Sequence, residues 1–127
     1  MKTATALNKA RAIAYLAAEK KGDDIVLMDM RGVSTAFDWF VLISASSSRK
    51  IGAISDTIQK NFSQKGVFPL CVEGKNASGW MLVDYGDVVV HVFHEDIRAF
   101  YGLERLWADV PTERFDDRCF VKTSRKD

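Results

Sequence analysis

The stretch Trp80-Met81-Leu82-Val83-Asp84-Tyr85-Gly86-Asp87-Val88-Val89-Val90-His91-Val92-Phe93 decides the fold. Two runs rich in β-branched and aromatic residues flank a short polar interruption with a glycine, which is the pattern of a β-hairpin. With Tyr85-Gly86 as a two-residue loop, Asp84 faces Asp87, Val83 faces Val88, Leu82 faces Val89, Met81 faces Val90 and Trp80 faces His91. Opposed residues share a sheet face, and faces alternate along a strand. Met81, Val83, Val88, Val90 and Val92 therefore form a wholly aliphatic face. Trp80, Leu82, Val89, His91 and Phe93 form an aromatic, mixed face bounded by Asp84 and Asp87. A register slip of one residue would exchange the two faces.

Working outward, residues 3–21 carry Leu7, Ala10, Ile13, Ala14 and Ala17 at helical spacing, and Gly22 stands where a helix C-cap is expected. Ile25-Val26-Leu27-Met28 and Trp39-Phe40-Val41-Leu42-Ile43 are short apolar runs of the buried-strand kind. Ser46, Ser47 and Ser48 open a second helix, as N-capping residues or as an anion site, with capping preferred. Ile51, Ile54, Ile58 and Phe62 line one face of that helix. Val67 to Val72 reads as a third strand, placed at a sheet edge because Pro69 cannot donate to a ladder. Glu73 to Gly79 reads as a polar loop, and Glu95 to Tyr101 as a short helix. The order is α-β-β-α-β-β-β-α, an α/β (α+β) domain with one mixed sheet of about five strands packed against helices. Residues 1–110 form the single domain. Residues 111–127 are expected to be a charged tail, disordered from Lys122 to Asp127.

The chain has 127 residues, of which 47% are hydrophobic, and this suffices for one domain with its own core. Its net charge of +1 excludes a bulk electrostatic hold on nucleic acid, though not a local basic patch. Cys71 and Cys119 show no zinc spacing and are expected to be reduced thiols. The N-terminus lacks the apolar core of a signal peptide, so a cytoplasmic location is expected. His91 and His94 lie three apart on a strand and point to opposite faces, so they make poor joint metal ligands. The acidic pairs Asp23-Asp24, Asp84 with Asp87, and Asp116-Asp117 carry the chemistry for a metal, but turn flanking explains Asp84 and Asp87 more simply. No phosphate-binding glycine pattern or nucleophile elbow occurs. No catalytic residue, metal ligand or cofactor is expected.

If the two long helices both cover the aliphatic face, only the C-terminal segment is left for the Trp80 face. An aromatic face with polar neighbours has the composition of a protein-binding surface. Its candidate residues are Trp80, Leu82, Asp84, Tyr85 at the hairpin tip, His91 and Phe93, with Tyr101, Leu106 and Trp107 from the C-terminal segment. The alternative is that this segment, Trp107 included, buries the face as a second core layer.

Asp84 to Phe93 closely resembles the signature of the ribosomal silencing factor (Iojap-like) family. Tyr101 with Leu103-Glu104-Arg105-Leu106-Trp107 resembles its C-terminal motif. Asp29-x-Arg31-Gly32, Asp38-Trp39-Phe40-Val41, Ser47-Ser48-Arg49 and Val72-Glu73-Gly74 resemble other parts of it. The likeness runs from about Leu7 to Trp107, with Trp39 where the family has Tyr. The resemblance implies a nucleotidyltransferase-like fold without that activity. The Gly-Ser and Asp-x-Asp of such enzymes are absent here, which counts against an enzyme as the competing reading. It also implies binding to ribosomal protein fourteen of the large subunit at the intersubunit face, blocking small-subunit docking when nutrients are scarce. Organelle relatives act in large-subunit assembly. Lys75, Arg98 and Arg105 are candidates for rim contacts with rRNA or acidic groups, with solvated surface charge the preferred reading. A homodimer is expected when the protein is free, since an aromatic patch finds a partner.

Overall fold

A computed structural model describes residues 2–75, 78–102, 105, 110–116 and 118–123, without the side chains of 2–5, 99–101 and 123. Among the described residues, three helices flank a seven-stranded sheet whose strands lie in the order β3 (Cys71–Lys75), β4 (Trp80–Asp84), β5 (Val88–His94), β2 (Trp39–Ala45), β1 (Asp23–Asp29), β6 (Thr112–Asp116) and β7 (Cys119–Thr123). Helix α1 (Lys2–Glu19) buries Ala6, Ala10, Ile13, Ala14 and Ala17 completely, a stripe at helical spacing. Its end differs in detail from the expected cap. Lys21 takes the left-handed position at φ 68°, and the Gly22 amide closes the helix onto the Ala17 carbonyl at 2.8 Å. Gly22 is required for a different reason. A Cβ there would stand 2.9 Å from both the Ala17 oxygen and Ile43 Cγ2.

Strand β2 (Trp39–Ala45) is buried along its whole length, as its unbroken apolar run requires for a central strand. It pairs antiparallel with β1 (Asp23–Asp29) and parallel with β5 (Val88–His94). The crossover between β2 and β5 begins with α2 (Ser48–Gln64), whose Ile51, Ile54, Ile58 and Phe62 face the core. Ser47 is its N-cap and accepts from the Lys50 amide at 3.2 Å, the expected capping role. Edge strand β3 (Cys71–Lys75) then pairs with β4 (Trp80–Asp84). The edge position matches expectation, but the strand begins after Pro69 and takes in Glu73 to Lys75, assigned above to a loop.

The hairpin register is corrected. Asp84 faces Val89, Leu82 faces His91 and Trp80 faces Phe93. The Tyr85 amide donates to the Val88 carbonyl at 2.9 Å, so the two turn residues are Gly86 and Asp87. Gly86 holds φ 91° at the first central position, where a left-handed residue starts a tight hairpin turn. The Asp84 carboxylate accepts from the Gly86 amide at 2.7 Å and fixes that choice. Moving the loop by one residue moves every partner by two, an even shift, so the two faces keep their membership.

Helices α1 and α2 cover one face. Its core joins Ile13, Leu27, Val41, Ile43, Ile54, Ile58, Val83, Val88, Val90 and Val92. The opposite face gathers Val26, Met28, Phe40, Leu42, Val89 and Phe93 with half-buried Trp80, Leu82 and Ile97. The expectation of about five strands is also corrected. The segment read as a charged tail forms β6 (Thr112–Asp116) and β7 (Cys119–Thr123), which extend the sheet beyond β1. Glu113 is buried there because Arg11 of α1 clamps it with two hydrogen bonds of 2.9 Å, and Tyr15 packs edge-on against Phe115 and Phe120. Residues 124–127 lie outside the described part.

Candidate binding face

Strands β4 and β5 deliver the side chains of the face opposite α1 and α2, and β2 supplies its floor. Trp80 stacks on its cross-strand partner Phe93 with centroids 5.3 Å apart, and His91 stacks on Phe93 at 5.7 Å. Phe40 meets His91 edge-on at 4.9 Å, and Phe37 stacks on Phe40 at 4.7 Å. The aromatic character of the face is thus continuous across three strands. Phe93 is fully buried, whereas Trp80 and Leu82 remain half-exposed. Trp107, which the alternative reading brings over this face, lies outside the described residues. His91 and Phe93 are a second core layer, and Trp80 with Leu82 is its open margin.

At that margin lies a groove of about 340 Å³, lined by Glu73, Gly74, Ser78, Trp80, Leu82 and Ile97. Its size is that of one or two side chains or a small ligand. Trp80, Leu82 and Ile97 form its apolar side, and Glu73, Gly74 and Ser78 its polar side.

His91 carries the unusual electrostatics. The Trp80 indole N–H points at His91 Nδ1 at 3.4 Å, and Nε2 is buried with no hydrogen-bond partner. Burial among aromatic rings pushes its pKa down to about 4, so the ring is neutral near pH 7. His94 has a different task. Its Nδ1 accepts from the Asp96 amide at 3.2 Å as the N-cap of α3 (Glu95–Tyr101).

Among the expected site residues, Trp80, Leu82, His91 and Phe93 come together. Asp84 lies on the same face, and its carboxylate serves the turn. Tyr85 does not join them. It is buried on the helix side, 5.1 Å from the Phe62 ring, and burial pushes its hydroxyl up to about 12. The register shift removes Tyr85 from the hairpin tip and puts it in line with Val83. The Tyr101 side chain, Leu106 and Trp107 lie outside the described residues. Lys75 and Arg105 are exposed, as rim residues must be, but Arg98 is 5% exposed and turned inward, so it is no rim contact.

Phe37, Phe40 and Ile97 belong to the face and were not singled out. The unbroken run Trp39–Ile43 hides which side Phe40 takes, and Ile97 sits on a helix too short for a periodic stripe. Among the described residues, no cluster of three or more His, Cys, Asp or Glu could hold a metal ion. Asp87 pairs with Lys9 at 2.9 Å, and Asp24 pairs with Arg114 and lies 3.7 Å from Arg98, so each of these carboxylates faces a cation; Asp117 lies outside the described residues. Both cysteines are free thiols. Among the described residues, no helix is long and apolar enough to cross a membrane.

Comparison with known proteins agrees with this fold. The family model described as ribosomal silencing factor during starvation matches residues 3–127. The ribosomal silencing factor RsfS of Bacillus subtilis is 40% identical over 98 residues, covering 77% of this chain and 83% of that protein. The RsfS of Halalkalibacterium halodurans is 40% identical over 94 residues, covering 74% and 80%. A crystal structure of a Chromobacterium violaceum protein superposes with a TM-score of 0.77 at 27% identity, covering 94% of this chain and 95% of that one. The match spans both the hairpin and the C-terminal strands, and the chain belongs to the ribosomal silencing factor (RsfS/Iojap) family.

Proposed function

We propose that this chain silences ribosomes by docking its Trp80 face on ribosomal protein fourteen of the large subunit. Occupancy of that intersubunit site keeps the small subunit away and lowers translation when nutrients are scarce. The action is steric and involves no chemical step. It takes place in the cytoplasm. The family match over residues 3–127 carries this reading. The half-exposed pair Trp80 and Leu82 beside a side-chain-sized groove supports it, because interface energy concentrates in a few aromatic and aliphatic anchors. Lys75, cross-strand from Trp80, and the exposed Arg105 are the proposed rim contacts with rRNA. Titration calorimetry with isolated ribosomal protein fourteen tests the partner. Saturable one-to-one binding that changes little with salt is expected of an apolar anchor. Absence of binding, together with a steep salt dependence on naked rRNA, would point to an RNA binder instead.

The same face is proposed to pair two copies of the free protein, since an open aromatic margin gains by being covered. Light scattering over a dilution series is expected to show a dimer that Trp80→Ala weakens. A strict monomer at high concentration would contradict this.

A further inference from the structure

Helix α3 has seven residues, Glu95–Tyr101, too few to persist on helical propensity alone. It must be held by what it touches, which includes β5, β2 and, through Arg98, Asp24 of β1. Among the described side chains of α3, Ile97 supplies the apolar contact and forms one wall of the Trp80 groove. Arg98 supplies the polar one. Its guanidinium is buried and donates from Nη1 to the Asp24 carbonyl at 2.5 Å and to Ser44 Oγ at 2.9 Å. Nη2 stands 3.7 Å from the Asp24 carboxylate.

The receiving end is built for this contact. Asp24 sits at the β1 irregularity between Asp23 and Val26, with φ 49°, so its carbonyl is released from the regular ladder with β2. Ser44 is 4% exposed and lies on β2 opposite Phe93, in the layer that carries Trp80. Asp24 also accepts from Arg114 of β6. Burial alone would raise its pKa, but the Arg114 hydrogen bond and the charges of Arg98 and Arg114 hold it below the ordinary carboxylate range. Asp24 therefore stays ionised at neutral pH and keeps its charge beside the guanidinium.

We infer that Arg98 is the positioning residue of the binding face: by anchoring α3 to the Asp24 bulge and Ser44, it sets where Ile97 stands against Trp80 and Leu82. A buried guanidinium satisfied by a carbonyl, a hydroxyl and a carboxylate fixes one geometry, because other placements of α3 leave its N–H groups without acceptors. The inference rests on the reading that the Trp80 face docks the ribosome.

The test uses the full-length protein as wild type, Arg98→Met, Arg98→Lys and Ser44→Ala. Amide hydrogen exchange is followed in the free protein, and affinity is measured by co-sedimentation with isolated large subunits. Arg98→Met keeps the aliphatic stem and loses the fork. Exchange across α3 is expected to rise about tenfold or more while β2 and β5 keep wild-type protection, which a uniform loss of stability would not produce. Affinity is expected to fall about tenfold. Arg98→Lys recovers part of both effects, since one ammonium reaches fewer of the acceptors. If Arg98→Met does not fold, Ser44→Ala removes one acceptor and is expected to show a smaller effect of the same pattern. Unchanged α3 exchange in the folded variants overturns the inference, as does lost α3 protection with full affinity. Failure of wild-type protein to bind large subunits sinks the ribosome reading, and the exchange data still decide whether Arg98 anchors α3.

Discussion

Lowering the pH from 7 to 5 is expected to remove about 2 kcal/mol of stability through His91 alone. The folded ring has a pKa of about 4 because burial disfavours the imidazolium, whereas the unfolded ring titrates near 6.5. Between these values the unfolded chain binds more protons than the native one, so stability falls as pH drops through the window. Above 6.5 the contribution is complete, and below 4 both states are protonated and the loss levels off at about 3 kcal/mol. The depressed carboxyls of Asp24 and Asp29 work in the same direction, but only below the ordinary carboxylate range, outside this window. Urea unfolding at pH 7 and pH 5 measures the effect, with His91→Gln as the non-titrating variant. His94 is the other histidine of the chain, and His94→Gln is the control. Equal stability at the two pH values, or a slope that survives in His91→Gln, would contradict the placement of His91.

The second large effect is on binding. Trp80→Ala is expected to weaken affinity for ribosomal protein fourteen about thirtyfold or more, a cost of roughly 2 kcal/mol typical of a truncated anchor. Because Trp80 also stacks on Phe93 and donates toward His91, some stability is lost as well, and the two effects must be separated. Leu82→Ala opens the same groove but keeps both rings of the indole–imidazole contact, and is expected to lose affinity with a smaller change in thermal midpoint. Lys75→Ala, an exposed rim charge, is expected to cost far less. Affinity that follows the thermal midpoint across all three variants would mean that Trp80 is core only.

The hairpin shows how much of this site was legible beforehand. Face membership survives any even shift of register, so Trp80, Leu82, Val89, His91 and Phe93 were grouped correctly on incorrect pairings. The turn itself depended on Asp84 accepting from the Gly86 amide, a local choice that strand patterning does not encode. That one-residue displacement sent Tyr85 into the core beside Phe62. Strands β6 and β7 were hidden because Glu113 occupies an inward position. A buried carboxylate breaks the apolar alternation unless its partner, Arg11, is known in advance. Arg98 misled for the same reason. An arginine on a short helix reads as solvated charge until the fold brings Asp24 and Ser44 to it.

Subunit joining tests the central claim most directly. Isolated large subunits are incubated with the protein, small subunits are added, and the mixture is resolved on a sucrose gradient. The account predicts that the protein sediments with the large subunit, is absent from joined ribosomes, and lowers the joined peak in proportion to its occupancy. Sedimentation with neither subunit, or a joined peak that is unchanged while the large subunit carries the protein, would contradict it.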